Sequence, residues 1–117
     1  MNKREYRVDA KIIKQLSQYL MFHGIKEFSL SFQSSKNEVT FIIESELITP
    51  EISEYMKDKI SRKREIEVEV YGWELLGDTD SQNELDILGA LIDEISIRKE
   101  NNKTTVIMKR FYHYNEK

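Results

Sequence analysis

The stretch Val8–Phe32, VDAKIIKQLSQYLMFHGIKEFSLSF, decides how the chain is read. Ile12, Ile13, Leu16, Tyr19 and Leu20 recur at three- and four-residue spacings, which puts them on one face of a helix, while Lys11, Lys14, Gln15 and Gln18 fall largely outside it. Asp9 stands where an N-terminal cap is wanted, because a carboxylate accepts from the free amides of the first turn and meets the positive end of the helix dipole. Gly24 stops the helix, since glycine takes the left-handed cap conformation without a side-chain clash. From Lys26 the period changes to two, with Phe28, Leu30 and Phe32 on one side and Ser29, Ser31 and Gln33 on the other, the pattern of a half-buried strand.

Upstream, Tyr6 and Val8 alternate with charged neighbours and predict a short first strand over Glu5–Val8. Downstream, the polar turn Ser34–Asn37 joins the first strand to a second over Val39–Ile43, rich in β-branched and aromatic residues. Thr49 then caps a helix that Pro50 opens, in the first turn where a missing N–H costs nothing. Ile52, Tyr55, Met56 and Ile60 form its apolar side, and Lys57, Lys59, Arg62, Lys63 and Arg64 are the one basic cluster, which suits the negative end of a helix dipole. Glu65–Tyr71 alternates like a strand, but Ile66, Val70 and Trp73 also match helical spacing. After the acidic loop Asp78–Asn83, capped by Ser81 or Asn83, a helix carries Leu85, Leu88, Leu91, Ile92 and Ile95. Gly89 in its middle costs about 1 kcal/mol against alanine, which points to a close backbone approach. The chain closes on a hairpin whose turn, Asn101–Asn102, takes positive φ readily, with Thr104–Tyr112 alternating behind it and His113–Lys117 as a polar tail.

At 117 residues the chain fits one domain, 1–117, with enough length for a single core. A net charge of −3 argues against general nucleic-acid binding, which needs a basic field. The absence of cysteine excludes disulfides, thiolate metal sites and cysteine nucleophiles, and makes the cytoplasm the expected location. No run approaches the roughly 18 apolar residues of a membrane span, and no membrane association is expected.

His23 and His113 belong to no spacing that gathers a metal, and the carboxylate pairs Asp93–Glu94, Asp78/Asp80 and Glu44/Glu46 are what a chain with 33% charged residues produces on its solvated surface. No GxSxG, GxxxxGK[ST] or GxGxxG motif occurs. No residue is therefore assigned as catalytic or metal-ligating. Tyr71 and Trp73 suit either core packing or an anchor for a partner.

The order helix, glycine, hairpin, variable middle, glycine-bearing helix and final hairpin resembles the histidine-kinase-like ATPase fold of sensor kinases, anti-sigma kinases and the Hsp90 chaperone. His23–Gly24 before the strand and Leu88–Gly89 in ELDILGALIDEIS match its patterns. The resemblance implies an α+β two-layer sandwich, a mixed and largely antiparallel sheet with helices on one face, and tips Glu65–Leu76 toward helix. It also implies a lost nucleotide site. Tyr19 occupies the position of the magnesium-binding asparagine and Gln15 that of the acidic residue one turn earlier, while Ile43–Leu47 lacks the glycines that let the backbone approach adenine. The expectation that follows is a non-catalytic cytoplasmic regulatory or adaptor domain without cofactor, binding a protein partner or a second copy through Tyr19, His23, Tyr71 and Trp73. The alternative is a small anti-sigma-type kinase that binds ATP and magnesium, with Glu44 or Glu46 holding adenine.

Overall fold

Spacing by four joins Val8 to Ile12, and the chain's opening follows that spacing rather than the alternation of Tyr6 and Val8. It forms one helix, α1 (Lys3–Phe22), followed by β1 (Ser29–Ser34), β2 (Glu38–Ser45), α2 (Pro50–Ile60), β3 (Glu94–Glu100) and β4 (Lys103–Phe111). The strand expected over Glu5–Val8 is thus the start of α1. The computed structural model describes residues 3–60, 88–89 and 91–112. Within them the fold is α+β, two helices with a four-stranded open sheet of order β1-β2-β4-β3. Every ladder among the described strands is antiparallel, so the parallel pairing of a mixed sheet does not occur there. The segments 61–87 and 113–117, with the expectations placed on Glu65–Leu76, the acidic loop, Arg62–Arg64 and the tail, lie outside the described residues.

The sheet has one buried face. Val39, Phe41 and Ile43 of β2 stand beside Arg110, Met108 and Val106 of β4, all fully or nearly fully buried, and they share a core with Val8, Ile12, Leu16, Tyr19 and Leu20 of α1 and Met56 and Ile60 of α2. The opposite face carries the row Ser31, Ile42, Ile107, Ser96, whose isoleucines are only half-buried. Ile95, which fits the helical spacing and also alternates with Ile97 as a hairpin strand would, belongs to β3 and faces Met108.

Local chemistry sets the ends of the elements. Gly24 has φ +81°, Ile25 N–H donates to the Leu20 carbonyl at 3.0 Å and Gly24 N–H to the Met21 carbonyl at 3.0 Å, a Schellman cap in which buried Ile25 packs back toward Leu20. Thr49 Oγ1 accepts from Ile52 N–H at 3.2 Å, which makes it the cap of α2 as expected. Asn101 and Asn102 have φ of 53° and 68° between the paired Glu100 and Lys103, the two positive values that a type I′ turn requires. Gly89 packs against the end of α2 so closely that a Cβ would collide with the Lys59 carbonyl oxygen.

Three polar side chains depart from the expected pattern. Asp9 caps nothing; it lies within α1, buried, where its Oδ1 is 3.5 Å from Arg110 Nε and its Oδ2 accepts from Tyr112 Oη at 2.9 Å. Arg110 is fully buried and donates from Nη1 to the Leu91 carbonyl at 3.2 Å. Gln15 is fully buried because positions 8, 12, 15 and 19 follow the 3.6-residue repeat down the middle of the core-facing stripe. On α2, Ser53 joins Met56 and Ile60 in the core while Tyr55 is turned out, 42% exposed.

Removing one member of a buried ion pair leaves an uncompensated charge, so Arg110→Ala is expected to lower stability by about 3–5 kcal/mol in denaturant unfolding. Gly89→Ala forces α2 and the helical residues Leu88 and Gly89 apart and is expected to cost about 1–3 kcal/mol in the same assay, although alanine is the better helix former.

Candidate functional site

The last turn of α1 and the first turn of α2 meet at an open cleft of about 330 Å³ lined by Tyr19, His23, Glu51, Ile52 and Tyr55. The caps create it. Gly24 turns the chain away immediately after His23, and Thr49–Pro50 start α2 so that Glu51, Ile52 and Tyr55, three and four residues apart, share the side toward the cleft.

Tyr19 is 1% exposed and forms the floor, its ring centroid 4.3 Å from that of His23, which is itself exposed. Phe22 meets His23 edge-on at 5.2 Å and is one of the most exposed apolar side chains of the chain's described part, at 69%. On α2 itself, Lys59 Nζ lies 5.6 Å from the centroid of the Tyr55 ring, one turn earlier. Burial pushes the Tyr19 phenol up to about 12, and the nearby Tyr55 phenol adds to the effect.

The lining is therefore aromatic and aliphatic with a single carboxylate, Glu51, which sits in the first turn of α2 where the helix dipole favours a negative charge. No cation lines it among the described residues, and no group of three or more His, Asp or Glu side chains there could hold a metal. Such a surface takes up an apolar or aromatic side chain, or a cation beside Glu51.

Glu44 and Glu46 lie elsewhere. They line a second cleft of about 360 Å³ at the end of the sheet, with Glu27, Phe28 and Lys103. Glu44 projects on the exposed face of the sheet and pairs with Lys103 at 4.0 Å, while Glu46 is exposed in the loop that Ser45 braces by donating to the Glu27 carbonyl at 2.6 Å and accepting from Leu47 N–H at 2.9 Å. The structure thus brings Tyr19 and His23 together, keeps Glu44 and Glu46 apart from them, and leaves Tyr71 and Trp73 outside the described residues.

No family model, curated protein or solved structure matches this chain.

Glu51 and Tyr55 are cleft residues that sequence reasoning did not single out. The signal was the spacing of Glu51, Ile52 and Tyr55, obscured because Tyr55 was grouped with the core residues Met56 and Ile60 when the buried position is Ser53.

Because the phenol of Tyr19 ionises near pH 10 when unfolded and near pH 12 when folded, the stability that its neutral form contributes is complete below pH 10 and disappears as pH rises toward 12. Thermal unfolding from pH 9 to 12 is expected to show a steeper loss for the native chain than for Tyr19→Phe.

Proposed function

We propose that the chain is a non-catalytic regulatory or adaptor domain acting through protein contacts, built as a two-layer sandwich on a degenerate histidine-kinase-like ATPase framework and working in the cytoplasm. The order of elements supports the framework: a helix closed by His23–Gly24, a hairpin, a second helix, a helical turn bearing Leu88–Gly89 and a final hairpin. The absence of cysteine supports the compartment, and no helix among the described residues is long and apolar enough to cross a membrane.

The observation that carries the functional reading is the environment of Tyr19. At the position that the resemblance assigns to a metal-binding amide there is a buried phenol, its ring tilted against that of His23 and its pKa raised well above the ordinary value. A neutral phenol in an apolar floor is a poor ligand for magnesium, which wants oxygen ligands in an octahedral shell and keeps its waters. With Glu51 as the charged group of the lining, the cleft would repel a nucleotide's phosphates. The partner contact instead uses the exposed rings of His23 and Tyr55 around an apolar floor, with the exposed Phe22 ring edge-on beside His23, the composition of an interface anchor pocket. The kinase alternative needs Glu44 or Glu46 at the adenine, and both are in the other cleft.

Calorimetric titration with ATP and magnesium is the test. The expected result is no heat and no thermal shift at millimolar nucleotide. Binding at about micromolar affinity, near −8 kcal/mol, together with its loss in Glu44→Gln or Glu46→Gln, would replace this reading with the kinase.

A further inference from the structure

Among the described residues, the two edges of the sheet differ in a way that points to a second interaction surface, independent of the cleft. The β3 edge is EISIRKE, with four charged residues in seven, the usual protection against another strand adding to it. The β1 edge is SLSFQS, six residues without a charge in a chain where one residue in three is charged. It also lacks proline, and all but Leu30 of its side chains are exposed.

Its backbone is set for pairing. Ser35 N–H donates to the Glu38 carbonyl at 2.8 Å, and continuing the register by one step from Ser34–Val39 makes 35 and 38 directly opposite. That bond marks a hydrogen-bonded pair, and alternation extends the type to Gln33–Thr40, Ser31–Ile42 and Ser29–Glu44. The N–H and C=O groups of Leu30, Phe32 and Ser34 therefore point outward, away from β2. On the core side, Phe28 just before the strand and Leu30 within it are half-buried, and Phe32 is 38% exposed, with the Phe41 ring 5.5 Å away.

We propose that β1 is a dimerisation edge: two copies of this chain join their β1 strands antiparallel about a two-fold axis at Ser31, forming one continuous eight-stranded sheet. The strand is complementary to itself in this register. Leu30 of each copy lies opposite Phe32 of the other, twice, so that outward amides meet outward carbonyls and the rim of each core is covered by the other copy's apolar pair. On the opposite face Ser29 lies opposite Gln33, and Ser31 meets its own symmetry mate at the axis, where small side chains fit a closely spaced, non-hydrogen-bonded pair. The neutral strand brings no like charges together within the ladder, which the charged β3 edge cannot match.

The chain has no cysteine, so a single introduced thiol reports the axis cleanly. Opposed Cα atoms in a non-hydrogen-bonded pair are about 4.5 Å apart, within disulfide range. Ser31→Cys is expected to oxidise to a covalent dimer on a non-reducing gel, while Ser96→Cys on the exposed face of β3 stays a single chain. By light scattering the native chain is expected to rise with concentration toward twice 14.0 kDa. Ser31→Lys, an exposed position that leaves the fold intact by circular dichroism, is expected to hold it at 14.0 kDa. A native chain that stays at 14.0 kDa up to millimolar concentration, or a dimer that survives Ser31→Lys and dissociates with Ser96→Lys, overturns the proposal.

Discussion

Asp9 and Arg110 bring opposite charges into the core, where the desolvation of each is tolerable only beside the other. Much of the architecture depends on that pairing. Asp9 lies in the first half of α1, Arg110 near the end of the central strand β4, and Tyr112 immediately after it closes the cluster with a hydrogen bond spanning 103 positions of sequence. The same guanidinium reaches the Leu91 carbonyl, at the last helical residue before β3. Asp93 continues the clasp by accepting from Phe111 N–H at 2.6 Å while its own N–H donates to Lys109 at 2.8 Å. A purely apolar contact tolerates sliding and rotation, whereas this cluster specifies one orientation of α1 on the sheet. An apolar core of equal volume would hold the layers together as firmly. The charges therefore matter most for register.

Once α1 is oriented at Asp9, the position of the cleft follows. Tyr19 is ten residues further along the same helix and sits in the central core-facing line with Ile12 and Gln15, and the cap at Gly24 ends the helix one turn beyond. The second wall comes from α2, whose start is set by Thr49 and Pro50 and whose end is pressed against Gly89. Tyr19 thus serves both core and cleft, which is why its phenol is pushed up.

The parts of this fold that were legible in the sequence are those written in local chemistry. Gly24, Thr49–Pro50 and Asn101–Asn102 each mark a boundary through a conformational requirement that neighbouring residues satisfy, and Gly89 announced a close backbone approach that Lys59 supplies. Asp9, Gln15 and Arg110 were misjudged or passed over for one shared reason. Each is polar at a core-facing position, and hydrophobic periodicity discounts such residues, although their spacing from Val8, Ile12, Val106 and Met108 places them inside. The partner that makes Asp9 tolerable there is about a hundred residues away, beyond the reach of any local pattern. The candidate site was half legible: Tyr19 and His23 are adjacent turns of one helix, but the wall that faces them comes from α2, and periodicity could not tell which of Ser53 and Tyr55 faces the core.

Under the proposed function, the floor beneath His23, closed by Tyr19, belongs to a protein contact rather than to a nucleotide. The most direct measurement is a structure determined from crystals grown with magnesium and a non-hydrolysable ATP analogue. The account predicts the Tyr19 ring packed against His23 as it is here, with no nucleotide between α1 and α2. A nucleotide in that cleft, with Tyr19 swung aside and a magnesium ion in its place, would contradict it.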